Sequence, residues 1–135
     1  MSSLDVRVAR SSQDVDGEAT DVLTITAVNR TGKPVTIWTC ILLTTSGLRL
    51  YLDPHLDYPL ELERGEWCRE WVTCELAMRE LRERGCRSKT TLVAMFLESL
   101  DRRARLISMM LSSGTNMDVR GIEHRAAPFV FDVGG

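Results

Sequence analysis

A chain of 135 residues, 44% hydrophobic and 27% charged, holds enough apolar material for one ordinary core and has no room for a second large one. Its formal net charge of −2 sets up no overall field toward nucleic acid or an anionic membrane, so only a local basic patch could lead to either. No window approaches the roughly 18 apolar residues of a spanning helix, and the opening MSSLDVRVARSSQDVDGEATD has no apolar leader core, so the expected compartment is the cytoplasm.

Arginine outnumbers lysine 15 to 2, a ratio that points to a GC-rich bacterial coding sequence rather than to one binding chemistry. The four cysteines, Cys40, Cys68, Cys74 and Cys86, are expected to stay reduced in that compartment and to serve as small buried hydrophobes.

In chain order, residues 4–10 alternate Leu4, Val6 and Val8 with Asp5, Arg7 and Ala9 and read as a short first strand. The acidic SSQDVDGEATD that follows reads as a mobile loop around Gly17; its carboxylates lack the spacing of a calcium loop. Residues 21–28 alternate again and form a second strand. NRTGKP then turns the chain, because Asn29 and Gly32 tolerate positive φ and Pro34 restricts the residue before it. The Asn29-Arg30-Thr31 sequon is explained by this turn. Residues 35–45, rich in β-branched types, predict a third strand, and the turn Thr44-Thr45-Ser46-Gly47 leads to a fourth over 48–52. Residues 58–62 and 66–73 predict two more strands around Glu63-Arg64-Gly65.

At Thr73 the period changes. Residues 75–84, ELAMRELRER, combine helix formers, Glu75/Arg79 and Glu80/Arg84 pairs at i,i+4, Thr73 as N-cap and Gly85 at the far end. The narrow stripe of Leu76, Ala77, Met78 and Leu81 predicts a crossover helix on the rim. Residues 89–100 and 104–111 predict a last hairpin around Asp101-Arg102-Arg103. In it, Leu92 to Leu97 is apolar on both faces, as in a central strand covered on two sides. The segment 112–135 carries Met117, Val119, Ile122, Phe129, Val130, Phe131 and Val133, too apolar for a disordered tail. APFVFDV is expected to dock as an added strand on this chain's sheet or a neighbour's, with Phe129 and Phe131 as partner-binding side chains.

This order of elements resembles small, mostly uncharacterised bacterial immunoglobulin-like β-sandwich proteins. The likeness is carried by NRTGKPVTI leading into a strand, Pro59-Leu60 before Leu62-Glu63-Arg64-Gly65-Glu66, a strand entering a small helix, and a strand ending at Asp101-Arg102-Arg103. It spans about residues 19–110. The resemblance implies fold alone, because no catalytic motif comes with it. The expectation is a mainly β, immunoglobulin-like antiparallel sandwich of seven to eight strands with one short helix, residues 75–84. It would occupy 1–111, with 112–135 as a carboxyl-terminal segment. Glu70 departs from the pattern: it stands where the alternation of Cys68 and Val72 favours an apolar inward residue.

Motifs with specific mechanics are absent: no phosphate-binding glycine loop, GxSxG, HExxH or CxxC occurs. Cys68, Cys74 and Cys86 with His55 or His124 are the right ligand types for zinc, yet they lack the tight knuckle spacing, and no metal or cofactor is expected. In DPHLD, Asp53 or Asp57 could orient His55 as a general base, without a recognisable nucleophile beside it. His124, in the aperiodic GIEHRAAPF, carries no chemistry of its own.

Two features suggest binding. Trp67, Arg69 and Trp71 share one face of an alternating segment and are the types enriched among interface anchors. One register turns them outward as a partner site; the other makes the tryptophans core and sends Cys68, Glu70 and Val72 out. The basic cluster Arg79, Arg82, Arg84, Arg87 and Lys89, diluted by Glu80 and Glu83, has no interleaved aromatic for stacking bases, which disfavours nucleic acid. The reading is a non-catalytic protein-interaction or accessory module binding a protein partner, with a homo-oligomer as one form of that. The alternatives are a small inhibitor or effector of a bacterial or mobile-element system, and an enzyme with a site near His55 or the cysteines.

Overall fold

The computed structural model describes residues 4–50, 53–99 and 121–134. The chain is mainly β: the described residues form nine strands and one helix, with two antiparallel sheets closing on one core. The expected strand over 104–111, and Tyr51 and Leu52 of the expected fourth strand, lie outside the described residues.

Strands β1 (Leu4–Val15) and β2 (Glu18–Asn29) form one long hairpin in unbroken register from Leu4 opposite Asn29 to Val15 opposite Glu18. This corrects the reading of SSQDVDGEATD as a mobile loop. Asp16 and Gly17 both take positive φ, 53° and 85°, as a two-residue primed turn requires, and the strands simply continue to either side. The polarity of that stretch has a structural cause: the far end of the hairpin runs on past its neighbour, which pairs with β2 only over Val22–Val28. Residues solvated on both sides need no apolar alternation.

That neighbour is β6 (Trp67–Thr73), and it completes the three-stranded sheet β1-β2-β6. The second sheet is built on β3 (Val35–Thr44) and β7 (Lys89–Ser99). Along one side of β3 lie the short β4 (Arg49–Leu50) and β5 (Leu60–Leu62). Along the far side of β7 lie β8 (Gly121–Arg125) and β9 (Phe129–Asp132). The Ala126 N–H still reaches the Ala94 carbonyl at 2.9 Å, so β8 and β9 make one edge interrupted before Pro128, which has no N–H to give a ladder. Leu92, Val93, Ala94, Met95 and Phe96 of β7 are all buried, as a continuous apolar run predicts for a strand covered on both faces.

The core is made by alternate residues: Leu4, Val6, Leu23, Ile25, Ala27, Cys68 and Val72 from the first sheet, and Val35, Ile37, Leu42, Leu92, Ala94 and Phe96 from the second. Helix α1 (Cys74–Glu83) starts on Thr73, whose hydroxyl accepts the Leu76 N–H at 3.2 Å. It ends in a Schellman arrangement, with Cys86 N–H on the Leu81 carbonyl, Gly85 N–H on the Arg82 carbonyl, and Gly85 at φ 87°. The helix goes deeper than a rim position: Cys74, Ala77 and Leu81, spaced three and four apart, are buried in the shared core.

Asn29 holds two turns together and is fully buried. Its amide nitrogen donates to the carbonyls of Lys33 and Leu62, and its oxygen accepts from the Thr31 N–H and hydroxyl. The asparagine of the sequon is thus consumed by the fold.

Candidate functional site

Three elements meet at the edge of β6 that no described strand pairs. The register of β6 on β2 sends Cys68, Glu70 and Val72 into the core and Trp67, Arg69 and Trp71 to the opposite side, so the outward alternative is the one the fold adopts. Trp67 is 60% exposed, and the Arg69 guanidinium lies over its ring at 5.2 Å. Arg69 also donates to the Thr26 hydroxyl at 3.3 Å. Trp71 is half-buried because the His55 ring stacks on it, centroids 3.7 Å apart and planes 16° from parallel.

Glu70 explains how His55 arrives there. Its side chain is 3% exposed, a costly position for a carboxylate unless every lone pair is used. Oε1 accepts the His55 N–H at 2.9 Å, His55 Nδ1 at 3.0 Å and the Trp71 N–H at 3.3 Å; Oε2 accepts the Tyr58 hydroxyl at 3.0 Å and the Leu56 N–H at 3.3 Å. A carboxylate so surrounded by donors leaves Nδ1 the donor's role and turns Nε2 away. Residues 53–58 are thereby fastened across the end of an edge strand. The polar residue that broke the alternation is the anchor of the loop.

A buried thiol, Cys68, and a half-buried one, Cys40, share this region. Burial pushes Cys68 up to about 11 and, with the Glu70 and Cys68 charges adding, raises Cys40 well above the ordinary thiol range. Burial, with Cys40 and Glu70 adding, likewise raises the Tyr58 hydroxyl. These groups stay protonated and are poor nucleophiles. The arrangement could orient an imidazole for proton transfer, but among the described residues no hydroxyl or thiol is hydrogen-bonded to His55 Nε2.

The other expected positions separate. His55 takes Glu70 as its carboxylate; neither Asp53 nor Asp57 bonds its ring. His124, on β8, pairs through Nε2 with Glu98 of β7 at 2.8 Å and is largely buried, a cross-strand contact within the second sheet. Cys68 and Cys74 are buried on different elements, and among the described residues no three His, Cys, Asp or Glu side chains gather as metal ligands would. Within the basic cluster, Arg82 donates Nε and Nη2 to the Val133 carbonyl at 3.1 and 2.8 Å, so part of that cluster holds the end of the chain in place.

Phe131, expected as a partner-binding side chain, is instead buried, and Phe129, half-buried, packs against the core, because β9 lies on β7 of its own sheet. The outward residues of that strand are Asp132 and Val130, the latter 65% exposed. Compared with protein-family models, curated proteins and solved structures, the chain matches none of them. Among the described residues, no helix is long and apolar enough to cross a membrane.

Proposed function

We propose that the chain is an immunoglobulin-like sandwich that acts in the cytoplasm as a non-catalytic protein-interaction module, with Trp67, Arg69 and Trp71 of β6 as its partner face. The fold part rests on strand order. The first, second and sixth strands lie in one sheet, and the third and seventh, with β8 and β9, in the other; this parallels strands A, B and E against C, F and G in immunoglobulin-like chains. Four free thiols suit a reducing compartment.

The observation that carries the functional part is Trp67. A tryptophan this exposed forgoes the burial that usually stabilises so large a ring, and here it sits on a rigid strand beside an arginine and a second aromatic pair. The test compares wild-type and Trp67→Ala baits in lysate of the native host, with Val130→Ser as control. A protein retained by wild type and Val130→Ser but lost with Trp67→Ala supports the reading. Identical recovery by all three baits contradicts it.

A further inference from the structure

We propose that the partner binds as an extended acidic peptide that adds to the open edge of β6, a carboxylate on Arg69 and an apolar side chain two residues away against Trp67. This rests on the partner-face reading above.

Among the described residues, β6 is the outer strand of its sheet. The Asn29 N–H bonds the Glu66 carbonyl at 2.9 Å, and stepping by two along the antiparallel register makes Ala27–Cys68, Ile25–Glu70 and Leu23–Val72 the bonded pairs. The backbone groups of Trp67, Arg69 and Trp71 therefore point away from β2. The Trp71 N–H is taken by the Glu70 carboxylate, and the loop fastened there closes that end. At Trp67 and Arg69, among the described residues, no partner engages the outward amides. Edge strands are ordinarily blunted by lysine, proline or a bulge; this one presents a tryptophan and a continuous register. A short row of alternating donors and acceptors matches a peptide backbone better than a sugar–phosphate chain.

Arg7 and Arg30 both pair with Asp5, at 3.2 Å each. Arg69, across the sheet from them, makes no ion pair among the described residues; its guanidinium donates to the Thr26 hydroxyl and lies over the Trp67 ring. A guanidinium held in place by a ring and one hydroxyl keeps donors for a carboxylate. An added antiparallel strand places its residues opposite Arg69 and Trp67 two apart and on the same face, which gives the carboxylate-x-apolar spacing.

The test is selection of short random peptides displayed against the full chain, followed by titration of the synthetic consensus peptide. The expected consensus holds Asp or Glu two residues from an apolar side chain. Arg69→Gln is expected to weaken it about tenfold, the loss of one charge-assisted hydrogen bond, and Arg69→Glu to prefer the peptide whose acid is replaced by lysine. A consensus without an acid, equal binding by Arg69→Gln, or no enriched peptide overturns the acidic-strand proposal. If Trp67→Ala still abolishes partner capture, the partner face survives that failure; if Trp67→Ala changes neither capture nor peptide affinity, both fail. A dimer in solution that Trp67→Ala converts to monomer would make a second copy the occupant, and tighter binding of a single-stranded oligonucleotide than of the peptide would make it nucleic acid; either result overturns the proposal.

Discussion

His55 Nδ1 stands 3.0 Å from Oε1 of Glu70, while the same imidazole stacks on Trp71, the residue that follows Glu70 in β6. One side chain from a connecting loop thus engages both faces of an edge strand: its polar rim meets the inward carboxylate and its ring meets the outward tryptophan. The consequence is a loop fastened beside an edge that no described strand pairs, because the carboxylate also holds the amides of His55 and Leu56 and the Tyr58 hydroxyl.

Removing that carboxylate should release the loop. Glu70→Ala is expected to lower unfolding stability by about 3 kcal/mol, since it strands several donors in a largely desolvated place. Glu70→Gln, which keeps the shape but loses acceptor capacity, should cost less. Urea denaturation measures both, and amide exchange at His55 and Leu56 should accelerate in each variant. Unchanged exchange would show that the loop is held by something else.

Alkaline pH should destabilise the fold. Burial raises the Cys68 thiol from 9.0 to about 11, and raises Cys40, Cys74 and Tyr58 as well. An acid whose folded pKa is raised contributes its stability in full below the unfolded value and loses it as pH climbs toward the folded one. Urea midpoints should therefore hold to about pH 9 and fall between about 9 and 11. A thiol reagent at neutral pH should leave Cys40 and Cys68 unmodified until denaturant is added. Rapid native modification of Cys68 would contradict its burial.

The carboxyl-terminal strand offers a paired test. Phe131→Ala should cost about 3–4 kcal/mol as a large-to-small core change, while Val130→Ser, one residue away on the solvent side, should stay within about 0.5 kcal/mol. Similar effects at both positions would mean that β9 does not lie on β7 as described.

The long hairpin depends on its turn. Gly17 holds φ 85° with open space around it, so Gly17→Val is opposed by backbone strain alone. A loss of about 1 kcal/mol, with faster amide exchange confined to the hairpin's distal half, is expected. Wild-type exchange there would remove the turn from the account.

The sequence made some of this legible and hid the rest for physical reasons. Strand β3 is legible from its β-branched residues, the Thr73 cap from a hydroxyl ahead of a run of helix formers, and β7 from an apolar run too long for a half-exposed strand. The Asp16-Gly17 hairpin is not, because strands exposed on both faces carry no apolar period; the dipeptide itself was the available signal. At the site, Trp67, Arg69 and Trp71 were identified without their orientation, since alternation alone does not say which row faces in. Glu70 was visible as a misfit, and a lone inward carboxylate calls for donors. That His55 supplies them, from fifteen residues away in the chain, follows from the loop's passage across the β6 edge, which local pattern does not encode.

The central claim, that the Trp67 face of β6 receives a protein partner, is tested most directly by a photo-crosslinking amino acid placed in the native host, in turn at position 67 and at position 130. The account predicts a discrete adduct with one partner from position 67 and none from position 130. No adduct at 67, or the same adducts from both positions, would contradict it.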